Sequence, residues 1–368
     1  MDTPLILALD IGSSSVRAAL YDGDANLLPR TSVKISRELT TTDDGGSEIN
    51  ADEALRQVIA AIDAVLEKTA KIKGEIIAVA SCSFWHSLVG VNASGRPTTK
   101  VFGWADTRSR EYSGVLKKHF DERVVHNRTG AHFHSSYWPA KLLWLRREFP
   151  NVWSKTTRWL SFSDYLAMKL LSEATTSVSM ASGTGMFDIR RCDWDAELVK
   201  YLKIKPTMLP AGAADDQTFK LNNKYARRWP RLADAKWFPT IADGSADNIG
   251  SGCVTKSKAA LMVGTSAAMR VAYRGEPPKK IPAGLWCYRI DRKRVIIGGA
   301  LSDGGNLYQL IKNRFKLPAN TDELIRRRGA ASDELIVLPF FFGERSTGYN
   351  EDARGAIVGL NASHDGVD

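Results

Sequence analysis

Two stretches of this chain carry the same pattern, and that repetition constrains the fold more than any other feature. The first is Leu5-Ile-Leu-Ala-Leu-Asp10-Ile-Gly12-Ser13-Ser14-Ser15-Val-Arg17-Ala-Ala-Leu-Tyr-Asp22, an apolar run, a glycine with three serines, and a second apolar run. The second is Ala260-Leu-Met-Val-Gly264-Thr265-Ser266-Ala-Ala-Met-Arg270-Val-Ala-Tyr273, where Gly264, Thr265 and Ser266 follow Gly12, Ser13 and Ser14 at an offset of 252. Two β-prone runs joined by a short Gly/Ser segment predict a hairpin. Two such hairpins, each opening a unit of mixed helix and strand pattern, predict a duplicated α/β architecture with a cleft between its halves. A turn of small hydroxyl residues offers clustered N–H and O–H donors, which is what a phosphate chain needs. A tight hairpin without a ligand reads from the same residues. Asp10 interrupts the end of an apolar strand, where it either serves a phosphate-bound Mg²⁺ or is a solvated carboxylate. The second copy has Met262 at that position, so making the hairpin does not require the acid.

The length of 368 residues is enough for two domains with full cores. The N-terminus lacks a basic leader and its apolar run is broken by Asp10, so it does not read as a signal peptide. No run approaches the roughly 18 apolar residues of a membrane span. The four cysteines, Cys82, Cys192, Cys253 and Cys287, are scattered without a C-x-x-C pair, which fits free thiols in a cytoplasmic protein and argues against zinc. A net charge of +10 invites a nucleic-acid reading, but the basic pairs are dispersed, from Lys117-Lys118 to Arg326-Arg327-Arg328. None sits in an aromatic-interleaved strand, so neither nucleic acid nor membrane is expected as a partner. The same basic field favours anionic small molecules such as ATP or a sugar acid.

A 3.6-residue period in Leu55, Val58, Ile59, Ile62, Val65 and Leu66 predicts a helix over about 52–71, with Asn50 and Glu53 as a capping box. The run Ile76–Ala80 predicts a short buried strand, after which Trp85 and His86 fall at a strand break facing a cleft, or else form a packed indole and a surface imidazole. Trp104 and Asp106 lie where a strand passes into a helix, and Asp106 and Thr107 suit its N-cap. Further helices are expected over 137–149, 163–171 and 195–202, while the small, polar stretch 175–186 reads as a lining loop and strand. A Pro-rich segment closes near Pro239, which sets a boundary between domains 1–240 and 241–368. Directly after it, Asp243 ends an apolar stretch before Gly244, as a functional carboxylate or an N-cap.

Taken in order, Asp10–Arg17, Trp104-Ala-Asp106-Thr-Arg108, Ala242-Asp243-Gly244, Gly264-Thr265-Ser266 and Leu338-Pro339 with Gly343-Glu344-Arg345-Ser346 resemble the motifs of the FGGY family of carbohydrate kinases. Asp352-Ala353-Arg354-Gly355 extends the likeness almost to the last residue, and Lys141–Arg146 and Ser179–Gly185 are most similar to the gluconokinase branch. The resemblance implies an actin/hexokinase-like (ribonuclease H-like) fold of duplicated domains, and ATP-dependent phosphorylation of a sugar or sugar acid, gluconate first. A pentulose, polyol or other sugar, or a non-catalytic sugar-binding role, are the alternatives.

By that likeness Asp243 is the general base and Asp10 the Mg²⁺-side carboxylate. Gly12, Ser13, Ser14, Ser15 and Arg17 contact the ATP phosphates from one side, and Gly264, Thr265, Gly305 and Gln309 contact the nucleotide from the other. Trp85, His86, Trp104 and Asp106, with Asp243, form the sugar wall. Trp85 replaces a methionine usual in close relatives, which implies a reshaped pocket. The likeness also implies a second domain longer than 241–368 and a Gly-rich adenine-binding segment beyond it, so a fragment or a weak hold on adenine is expected. It leaves a homodimer open.

Overall fold

Alternation decides which way the first stretch faces. In β1 (Leu5–Ile11) the side chains of Leu5, Leu7, Leu9 and Ile11 are buried on one face, while Ile6, Ala8 and Asp10 stand half-buried on the other. β2 (Ser15–Asp22) returns antiparallel to it, Ile11 opposite Val16, and Gly12 N–H donates to Ser15 O at 2.9 Å to close the turn. In this computed structural model, residues 4–315, 317–328, 335–341 and 343–367 are described.

β3 (Val33–Ser36) extends the sheet beyond β2, and β4 (Ile76–Ser83) runs parallel to β1 on its other side. β5 (Lys236–Trp237) and β6 (Ile241–Ala242) both pair with β4 in parallel, giving the order β5-β4-β1-β2-β3 with β6 further along the outer edge of β4. The helix α1 (Ala51–Lys68) covers the apolar face. Asn50 caps it by accepting from Glu53 N–H at 3.1 Å, and Val58, Ile62 and Val65 are fully buried in the same core as Leu7 and Leu9. Each such side chain contributes about 1.5–3 kcal/mol by leaving water.

Helices α2 (Trp138–Glu148) and α3 (Phe162–Leu170) lie within a residue of their expected bounds. Two expectations need correcting. The stretch 175–186 is not a lining loop: it contains α4 (Val178–Ser182), every residue of which is buried and which packs against the second half. Small residues at Ser179, Ala181 and Ser182 allow that close approach. Nor does Asp106 or Thr107 cap the helix after Trp104; that helix covers Arg110–His119 with Ser109 at its N-cap.

The second half starts with α5 (Asp243–Gly250) and then repeats the hairpin. β7 (Ala259–Val263) pairs antiparallel with β8 (Ala267–Arg274), Val263 opposite Ala267, and Gly264 N–H donates to Ser266 O at 2.9 Å. This turn is one residue shorter than the first. β9 (Trp286–Asp291) and β10 (Arg294–Leu301) form a hairpin whose second strand joins β8, so the order is β7-β8-β10-β9. Helix α6 (Gly305–Arg314) follows. Nothing among the described residues pairs with the outer edge of β7, and Leu261 and Val263 on it are 70% and 66% exposed. All four cysteines are free thiols, and among the described residues no helix is long and apolar enough to cross a membrane.

Candidate functional site

The parallel pairing of β4 with both β1 and β6 brings two acids from distant parts of the chain to one end of the sheet. Cys82 is the ladder partner of Asp10 on one side and of Ile241 on the other. Asp10 also faces Arg17 directly across the hairpin, and Arg17 Nη1 lies 2.7 Å from Asp10 Oδ2. The Cys82 thiol donates to the other carboxylate oxygen, Oδ1, at 3.6 Å.

Asp243 is the first residue of α5, with Ala242 as the N-cap, so it does not itself cap the helix. Gly244 N–H donates to Asp243 Oδ1 at 2.7 Å, Oδ2 has no hydrogen-bond partner among the described residues, and the side chain lines the cavity described below. Water reaches this side chain through the cleft mouth, yet the surrounding walls displace much of its hydration. That crowding pushes its carboxyl up to about 6, with Asp10 and Asp247 adding to the rise and Gly244 N–H and Arg270 opposing it.

Beyond β4 the chain turns sharply at His86, whose φ of +66° lies in the left-handed region. The turn carries Trp85 inward, where its indole N–H donates to Ser179 O at 2.9 Å. Trp85 meets Tyr288 and Trp286 edge-on at ring separations of 5.1 and 5.7 Å. Those two rings share one face of β9 two residues apart, and stack at 4.4 Å. A Cβ on Gly244 would come within 2.6 Å of the Trp85 ring, so the indole and the start of α5 fit together only with glycine there. His86 Nδ1 bonds Gly183 O, and burial, with Arg345 nearby, pushes its imidazole well below the usual range, so it is neutral.

These groups line a cavity of about 100 Å³, with Trp85, His86, Trp104, Asp243, Trp286 and Arg345 among its walls. Arg345 lies over the Trp104 ring at 5.0 Å. Arg270 also lines it and is tied to Asp247 at 2.7 Å. Asp106 does not. It is 1% exposed, accepts Ser47 N–H at 3.1 Å and is paired with Arg108 at 2.5 Å. The sequence reading missed Arg270, Trp286, Tyr288 and Arg345 as wall residues. The alternation of Trp286 and Tyr288 was a legible signal of a shared aromatic face.

The hairpin turns present donors. Among the described residues the backbone N–H groups of Ser13, Ser14 and Thr265 have no acceptor. Against the second turn, α6 begins with Gly305 N–H donating to Gly264 O at 2.7 Å and Asn306 N–H to Thr265 O at 3.1 Å. A Cβ on Gly305 would sit 2.8 Å from Gly264 O. Gly264, Thr265, Gly305 and Gln309 line one open cavity of about 530 Å³ at the positive end of this helix.

Residues 5–230 match the profile of the FGGY family of carbohydrate kinases, N-terminal domain. The chain belongs to the FGGY family of carbohydrate kinases. Its similarity to the gluconokinase of Bacillus subtilis is 26% identity over 376 residues, covering 98% of this chain and 72% of that protein. A xylulose kinase of Lactococcus lactis is 23% identical, over 98% of this chain and 72% of its own length. Among solved structures, the gluconate kinase of Lactobacillus acidophilus superposes with a TM-score of 0.89 at 28% identity, covering the whole of this chain and 74% of that one. Ligand-bound xylulose kinase from the same organism matches equally well, at 27% identity over 99% of this chain and 74% of its own. The fold of this FGGY kinase is thus the actin/hexokinase-like arrangement, with the acid pair at the end of the first sheet.

Proposed function

We propose that this FGGY kinase transfers the γ-phosphoryl group of ATP to a hydroxyl of a sugar acid, gluconate first. The observation that supports the reading is the placement of Asp243: a solvent-reached carboxylate in a cavity walled by aromatic rings, electrostatically coupled to Asp10 at the root of a donor-rich hairpin. Phosphoryl transfer asks mainly for positioning and charge neutralisation, with one base for the acceptor hydroxyl. Asp243 Oδ2 takes that proton as the oxygen attacks, while Gly244 N–H keeps the carboxylate oriented.

The unpaired N–H groups of Ser13, Ser14 and Thr265, with their hydroxyls, fit phosphate oxygens. Asp10, Ser15 and Arg17 close the first grip and Gly264, Gly305 and Gln309 the second. Asp10, a half-exposed carboxylate at the root of the first turn, would be the protein-side group for a Mg²⁺ ion held otherwise by phosphate and water. Bound there, the ion would neutralise charge on the phosphates. The chain's own residues orient the sugar and exclude water.

Gluconate is favoured over neutral sugars because Arg345, stacked on Trp104, has no carboxylate partner among the described residues and faces the cavity. The somewhat higher sequence identity to a gluconokinase, 26% against 23% for a xylulose kinase, leans the same way, while the solved structures of the two kinds match equally well. ADP release by the full-length protein with gluconate, xylulose, glycerol and ribulose tests it. Turnover of gluconate above the others is expected, turnover confined to a neutral sugar overturns the acid preference, and binding without any turnover overturns the kinase reading.

A further inference from the structure

Arg37 directly follows β3, is 8% exposed, and reaches beneath the first hairpin from the core side. Its backbone N–H donates to Ser14 O at 2.7 Å and its Nη1 to Gly12 O at 3.3 Å. The guanidinium is fixed by Nε, which donates to Gln57 Oε1 of α1 at 2.6 Å, and by the face of Phe162, 5.6 Å away. Its Nη2 has no partner among the described residues. Burying a guanidinium with one nitrogen unsatisfied is costly, and a tight hairpin does not by itself require it.

We infer that Arg37 is a positioning residue that aims the Ser13 amide at the phosphates by holding the Gly12 carbonyl inward. The peptide unit is planar and trans, so the C=O of Gly12 and the N–H of Ser13 point in opposite directions. Pinning the carbonyl toward the core therefore turns the N–H toward the cleft, where it has no protein acceptor. The cation behind the peptide also polarises it, which strengthens the donor end, and adds positive field to the turn. Burial lowers the guanidinium only to about 10, with Glu53 opposing the fall, so the charge is present at neutral pH. Arg17 acts differently, from the cleft side and on the Asp10 carboxylate.

This rests on the reading that the first hairpin takes the ATP phosphates. The test is steady-state kinetics of R37M, R37K and Q57L in the full-length protein, with thermal unfolding to check folding. Losing a charge-assisted hydrogen bond should raise KM for ATP about tenfold in R37M while KM for the sugar stays within about twofold. R37K, which keeps the charge, should recover part of that loss. Q57L, which keeps Arg37 but releases its Nε, should shift KM for ATP in the same direction by less. If R37M does not fold, R37K and Q57L decide. KM for ATP within about twofold of wild type in the folded variants overturns the inference, as does an equal rise in both KM values. D243N separates the two levels: if it abolishes turnover while the Arg37 and Gln57 variants are silent, the kinase reading stands and only the role of Arg37 fails.

Discussion

Asp10 and Asp243 reach the same end of the first sheet from opposite sides of β4: Asp10 pairs with Cys82 from β1, and Asp243 begins α5 directly after β6, whose Ile241 pairs with the same cysteine. Strand spacing places β1 and β6 roughly 10 Å apart across β4. The two carboxylates are still electrostatically coupled, the charge on Asp10 helping to raise Asp243. The Cys82 thiol, pushed up by burial and by both acids, is a neutral donor in that gap.

The pH dependence follows from Asp243. A base accepts a proton only when ionised, and this carboxyl is raised to about 6 from an ordinary 3.8. The rate with saturating substrates should therefore fall as pH drops through about 6, rather than near 3.8. D243N should lose at least ~10²-fold of the rate and flatten that limb, with sugar binding retained. A D243N rate close to wild type refutes the assignment.

Gly305 tests the nucleotide side. Its missing Cβ lets α6 start directly on Gly264 O. Gly305→Val should push helix and hairpin apart and raise KM for ATP by about tenfold or more, because a donor grip loses its geometry within a fraction of an ångström. KM for the sugar, which we propose binds in the other cavity, should change little. Parallel changes in both would show a general distortion instead.

Gly130 tests stability at the seam between the halves. Its φ is +73°, a Cβ there would overlap Cys287 O, and its own carbonyl accepts Cys287 N–H at 2.9 Å. Gly130→Ala combines left-handed strain with a backbone clash and should cost about 1–3 kcal/mol or more, seen as a lower Tm. An unchanged Tm would mean that the seam relaxes freely.

Lys141 gives a signed pH effect on stability. It is fully buried in α2, donates to Ser135 O and Ser136 O, and burial pushes its ammonium down to about 7 from 10.5. Between those two values the unfolded chain carries a proton that the folded chain lacks, so this lysine makes stability rise with pH across that window. Lys141→Met should remove that rise, comparing better with wild type at pH 6 than at pH 9 in urea unfolding. An equal difference at both pH values would contradict the buried, neutralised lysine.

The duplicated hairpins and the acid that interrupts the end of β1 at Asp10 were legible, because strand period and turn chemistry are local properties of the chain, while Asp243 stood out through the order of motifs in the family likeness. The helix capped by Asn50 was legible too. Local pattern failed where packing decides. The stretch 175–186 is small and polar, the usual signature of a loop, but α4 in it is buried because small residues are what close packing against β9 requires. Asp106 reads as a cap from its position and as a sugar ligand from the family likeness, but a charge partner two residues on, Arg108, with Ser47 N–H from far upstream, takes up its oxygens.

The hairpin at Gly12 shows the division most clearly. By itself the sequence determined that a donor-rich turn stands beside an acid, because glycine and serine spacing sets the turn and alternation sets the face of Asp10. Only the tertiary structure decided which donors are free, that Arg37 grips the turn from behind, and that Asp243 arrives 233 positions later at the same sheet end. Those are long-range relations, fixed by which strands pair with β4 and by what the core excludes from water, and no local pattern encodes them.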